Sequence, residues 1–70
     1  MLGVSSMNVY EMILKSKGMW LVTFPDKTKW VLDLDNNVFD NYEWYKVTGT
    51  LESELDSIDR FKKGSWKKLK

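Results

Sequence analysis

The sequence predicts an α+β fold: a twisted antiparallel meander of four strands, curled toward a small barrel, followed by a C-terminal α-helix. Three observations predict it. Apolar residues alternate with period two in successive stretches between residues 9 and 48, which is the strand signature. Residues that favour turns separate those stretches at short intervals. Past Gly49 the period changes, and Leu51, Leu55, Ile58 and Phe61 fall on one stripe of a helix.

The elements follow in order. Residues 1–8 carry no periodic pattern, and disorder is the expectation there. Tyr10, Met12 and Leu14 point one way on a first strand. An alternative reading of the same residues is a helix from Asn8 to Lys17, capped by Asn8 and ended by Gly18. Ser16-Lys17-Gly18 suits a three-residue hairpin loop closed by a left-handed glycine. Trp20, Val22 and Phe24 share a face on the second strand. Pro25-Asp26-Lys27-Thr28 then forms a turn, since proline pre-sets φ and aspartate bonds neighbouring backbone. An odd-length loop at that point pairs Phe24 with Trp30 and Val22 with Leu32.

Trp30, Leu32 and Leu34 continue the same face on the third strand. Asn36-Asn37 suits a two-residue turn, because asparagine tolerates positive φ. That turn sets Asp33 opposite Asp40, which like-charge repulsion disfavours. An extra residue near Asp40-Asn41 removes the clash and brings Tyr42 opposite Leu32 and Trp44 opposite Trp30, so a bulge is expected in the fourth strand. The second face carries Val9, Ile13, Met19, Leu21, Val31, Tyr45 and Val47, too apolar for a sheet solvated on one side. Cover by a helix or a partner, or curling of the sheet, is therefore expected.

Thr50 to Lys63 reads as the helix. Thr50 is placed to cap it, Glu52, Glu54 and Asp56 sit near its positive start, and Arg60, Lys62 and Lys63 near its negative end. Gly64 is placed to end it. Residues 64–70 form a basic tail or an added strand, with Trp66 and Leu69 as anchors. A four-stranded meander of this kind is similar to that of small SH3-like barrels, a likeness of fold that implies no function.

Composition narrows the function. Seventy residues make one domain, 1–70. A single core of this size supplies about 3–5 kcal/mol unless reinforced. The chain has no Cys and no His, which removes disulfides and the usual zinc ligands. Ten aromatics (four Trp, three Tyr, three Phe) supply dense packing instead. A homodimer is a second route to reinforcement. The first residues show neither a charged leader region nor a sustained apolar run, so no signal peptide, no membrane span and a cytoplasmic location are expected.

The same absences remove the commonest catalytic base and the best nucleophile. No glycine-rich phosphate loop is present. The chain is therefore read as non-enzymatic, with no catalytic residue, metal or cofactor. Asp33-Leu-Asp35-Asn-Asn37 resembles the start of a calcium loop, but the positions that need glycine and glutamate hold Val38 and Trp44. It reads as a turn.

What remains is charge polarity. Residues 60–70 hold six of the eleven basic residues and no acid. Residues 31–59 hold eight of the ten acids against Lys46 alone. Arg60, Lys62, Lys63, Trp66, Lys67 and Lys68 are candidate contacts for a partner or for nucleic acid, with Trp66 able to stack on a base. Asp33, Asp35, Asp40 and Glu43 form a candidate acidic surface that fits a basic partner. Trp20, Trp30 and Trp44 are expected in the core, and any one found exposed becomes a candidate interface anchor. The expected function is a small regulatory or adaptor protein that binds another protein. The alternative is a nucleic-acid-binding module using the basic C-terminal segment, against which the acidic middle and near-neutral net charge argue.

Overall fold

A computed structural model describes residues 9–70, so the expectation for residues 1–8 lies outside the described residues. The elements are helix α1 (Val9–Ser16), strands β1 (Met19–Thr23), β2 (Lys29–Asp33) and β3 (Val38–Asn41), helix α2 (Tyr42–Thr48), strand β4 (Ser53–Glu54), a 3-10 turn (Asp59–Phe61) and strand β5 (Ser65–Lys68). All strand pairs are antiparallel, in the order β4-β3-β2-β1-β5. The chain is α+β, and among the described residues its sheet is open with two edges rather than curled into a barrel.

The first expected strand is the helix of the alternative reading. Tyr10 and Ile13 are one helical turn apart, and Ile13 is buried in the core. The helix stops where Lys17 and Gly18 take positive φ, 54° and 87°. Glycine is required at 18 on a second count: a β-carbon there would fall 2.6 Å from the Lys70 carbonyl oxygen. The place beside β1 that a first strand would occupy belongs to β5, with Val22 opposite Trp66 and Trp20 opposite Lys68. The tail is thus an added strand.

Strands β1 and β2 keep their expected faces but not their expected register. Val22 pairs with Trp30 and Trp20 with Leu32, a slip of two residues, which preserves the face. The cause is a loop of three residues, 25–27, closed by the Phe24 N–H on the Thr28 carbonyl at 2.9 Å. The Asp26 carboxylate fixes it by accepting from the Thr28 hydroxyl (2.6 Å) and N–H (3.0 Å), and Lys27 takes the left-handed position, φ 78°.

The next turn is longer than expected, at residues 34–37. It pairs Asp33 with Val38, Leu32 with Phe39 and Asp40 with Val31. The repulsion between Asp33 and Asp40 is thereby relieved by turn length, not by a bulge. Nor does the fourth strand continue to Trp44. Asn41 takes extended backbone (φ −60°, ψ 142°) and accepts the Glu43 N–H at 2.8 Å, capping α2. Gly49, at φ 72°, ends α2 in the left-handed conformation.

The predicted helix over 50–63 is absent. Its apolar stripe is divided between the two faces of the sheet. Leu51 lies with Met19, Val38 and Tyr45 on one face, whereas Leu55, Ile58 and Phe61 join the core on the other. A helix cannot serve both faces, so the chain crosses the sheet edge in extended form, as β4, and pairs with β3 through Val38–Glu54 and Phe39–Ser53. The Asp40 carboxylate holds the crossing by accepting the Glu52 N–H at 2.8 Å.

The main core lies between the sheet, α1 and the segment 55–61. Val22, Leu32, Leu34, Ile13 and Phe61 are buried in it, with Trp20, Phe24, Trp30, Phe39 and Trp66 packed around them. Phe61 is its hub, with ring centroids 5.9 Å from Phe24, 6.2 Å from Trp30 and 5.6 Å from Phe39. The apolar second face is partly covered by α2, which packs on β2 and β3. Val31 on that face is fully buried.

Candidate functional site

The basic residues singled out by sequence do not act as one patch. Arg60 leaves the 3-10 turn toward β3, and its guanidinium lies over Phe61, Phe39 and Trp30 at 4.8, 5.1 and 5.5 Å. It neighbours Glu54 and Asp56 rather than the other bases. Lys67 alternates with Trp66 and Lys68 along β5 and so projects from the opposite face. Lys63 is exposed between the turn and β5.

Lys62, Trp66 and Lys68 are brought together beside α1. Lys62 Nζ lies 4.9 Å from the Tyr10 ring centre, and Lys68 Nζ 5.7 Å from that of Trp20. Trp66 meets Tyr10 and Trp20 edge-on, with centroids 6.3 and 6.1 Å away. Its indole N–H donates to the Phe61 carbonyl at 3.0 Å. The Trp20 indole N–H donates to the Lys17 carbonyl at 2.8 Å. Both indoles therefore have their polar atoms satisfied from within and offer apolar surface.

That surface forms one wall of a groove of about 300 Å³ whose other wall is α1, lined by Val9, Met12, Ser16, Trp20, Trp66 and Lys68. Val9 is 70% exposed and Met12 55%. Scattered exposed apolar residues are ordinary, so what singles this groove out as a candidate is that Val9 and Met12 adjoin the two indoles in one surface. Sequence reasoning placed Tyr10, Met12 and Leu14 on a strand and so missed the α1 wall. The signal was present, since Val9, Met12 and Ser16 recur at i, i+3 and i+7.

Three of the four acidic candidates have a local task. Asp33 accepts the N–H groups of Asp35 (2.9 Å) and Asn36 (3.2 Å) and the Asn36 side-chain amide (2.8 Å), which builds the turn. Asp35 is exposed in that turn. Asp40 anchors Glu52, and Glu43 pairs with Lys46 at 3.4 Å. Among the described residues no three acidic side chains converge as metal ligands.

Two further features escaped the sequence reading. Lys27, Lys29 and Lys46 surround Tyr42 in a pocket of about 340 Å³, with the Lys46 and Lys29 Nζ atoms 5.0 and 5.9 Å from the ring centre. Trp44, expected in the core, lies on the outer side of α2 with Val47, 44% and 84% exposed. Both misplacements follow from taking residues 42–47 as a strand. The helix signal was Asn41 before the run and Gly49 after it.

No protein family, curated protein or solved structure matches this chain. Among the described residues no helix is long and apolar enough to cross a membrane.

Proposed function

We propose that this chain is a small non-enzymatic regulatory or adaptor protein that binds another protein through the groove between α1 and β5. One observation carries the reading: the apolar groove of Val9, Met12, Trp20 and Trp66, open to solvent and edged by Lys68, with Lys62 over the ring of Tyr10 on α1. Contiguous apolar surface of this kind gains free energy when a partner covers it. Tryptophan is among the residues enriched at binding hot spots. The nucleic-acid alternative has weaker support, because the basic residues do not form one patch: Arg60 lies apart beside Glu54 and Asp56, and Lys67 lies on the other face.

Affinity capture with three chains tests the reading: wild type, Met12→Asp in the groove, and Trp44→Ala on α2. Folding of each is verified by amide chemical-shift dispersion. A stoichiometric protein captured by wild type and Trp44→Ala but lost with Met12→Asp is the expected result. Retention by Met12→Asp and loss with Trp44→Ala would move the interface to α2. Binding of single-stranded nucleic acid with steep salt dependence, undisturbed by Met12→Asp, would favour the alternative. Light scattering that shows a dimer abolished by Met12→Asp would identify the occupant as a second copy.

A further inference from the structure

The groove runs along a free strand edge. Strand β5 is the last strand on its side of the sheet among the described residues. Met19 bonds through both backbone groups to the end of β5, donating to Lys70 (3.2 Å) and accepting from Leu69 (2.8 Å). An antiparallel ladder repeats every two residues, so Lys67 and Ser65 also turn their N–H and C=O toward β1. Trp66 and Lys68 then direct theirs outward, away from the sheet. Their side chains face the groove.

The two edges of the sheet differ in charge. The β4 edge is lined by Glu52, Glu54 and Asp56. Beside β5 lie Lys62, Lys63, Lys67, Lys68 and Lys70, and the acids near the groove are Glu11 on α1 and Asp59, which is occupied by the Tyr10 hydroxyl. Lysines on an edge repel another basic edge and so guard against pairing of β5 with its own copy. They attract an acidic strand.

Resting on the protein-binding reading above, we propose that the partner contributes an extended acidic segment that adds to β5 as a sixth strand. Its backbone bonds to the outward N–H and C=O groups of Trp66 and Lys68. Directly paired residues share a face. A carboxylate opposite Lys68 and an apolar side chain opposite Trp66 therefore enter the groove, and a second carboxylate opposite Lys67 meets it on the other face. The specificity that follows is two adjacent acids and then an apolar residue.

The test titrates isotope-labelled full-length chain with the capped peptide Thr-Glu-Glu-Val-Thr, followed by amide shifts. Saturable shifts centred on the Trp66 and Lys68 amides and the Trp20 and Trp66 indoles are expected. N-methylation of alternate peptide residues should weaken binding at least ten-fold, because it blocks backbone bonding but keeps charge and apolar surface. The double variant Lys67→Glu/Lys68→Glu should lose this peptide and accept Thr-Lys-Lys-Val-Thr instead. Equal binding of the N-methylated peptide, shifts centred elsewhere, or equal displacement by any polyanion would overturn strand addition. If strand addition fails while Met12→Asp still abolishes partner capture, the groove reading survives without it. If the peptide adds to β5 while capture ignores Met12→Asp, the groove reading falls instead. Shifts of the wild-type chain on self-dilution, centred on both β4 and β5, would make the added strand a second copy's acidic edge and overturn the heterologous partner.

Discussion

Gly64 lies against Val22 so closely that a β-carbon on Gly64 would stand 2.3 Å from the Val22 Cγ1. Val22 is fully buried and Trp66, two residues on, pairs with it across β5. The glycine therefore sets how closely the chain leaving the 3-10 turn can approach β1, and with it the position of β5 and the groove. Gly64→Ala should destabilise by about 1–3 kcal/mol, the usual cost of overpacking a filled core. Val22→Ala removes the clashing methyl, so the double variant should cost less than the sum of the single ones. Urea unfolding of the four chains measures this, and strict additivity would refute the contact.

Phe61 is expected to be the most sensitive apolar position. It is fully buried and touches the rings of Phe24, Trp30 and Phe39. Phenylalanine-to-alanine changes in cores cost about 3–5 kcal/mol, comparable to the whole stability expected of a domain this size. Phe61→Ala should therefore leave the chain largely unfolded at 25 °C by circular dichroism, whereas Phe61→Leu should remain folded. A cooperative, near-wild-type transition for Phe61→Ala would show that the core does not depend on it.

These two sites also show where the sequence was legible. The faces of β1 and β2 were readable because side-chain alternation is a backbone property, and a slip of two residues leaves each face intact. Their register was not, because it depended on whether Asp26 closed a three-residue loop, a matter of two hydrogen bonds. Tyr10 to Leu14 fits both periods, and what decides between them is distant: the Lys70 carbonyl beside Gly18 and the ring of Trp66 against Tyr10. Residues 50–63 satisfied every local rule for a helix, yet Leu51 and Phe61 are needed on opposite faces of the sheet. The basic residues were visible in the sequence, but the groove they rim needed both α1 and β5 in place.

Asn41 offers a direct check on α2. Its side chain accepts the Glu43 N–H at 2.8 Å, satisfying one of the unpaired donors at the helix start. Asn41→Ala should cost about 0.5–2 kcal/mol, with Asn41→Asp close to wild type because an anion suits that end. Equal stabilities of the alanine and aspartate variants in urea would argue that the cap contributes nothing.

Tyr10 gives the fold a dependence on alkaline pH. Its phenol is packed against Trp66, and its hydroxyl donates to Asp59 Oδ1 at 2.9 Å. Loss of solvent around the phenol, the hydrogen bond to Asp59 and the negative charge of Asp59 all disfavour the phenolate. Together they push its pKa from 10.0 up to about 12. The sign follows from proton binding. Between these values the unfolded chain has released the proton and the folded chain still holds it, so stability falls as pH rises. The contribution is complete below pH 10 and is lost as pH climbs through about 12. Tyr10→Phe cannot titrate. The stability difference between wild type and Tyr10→Phe should therefore be constant up to about pH 10 and shift against wild type above it, whatever the lysines common to both chains contribute. Urea midpoints from pH 9 to pH 12 measure it. A difference that stays flat across that range would mean that Asp59 and Trp66 do not hold the proton on Tyr10.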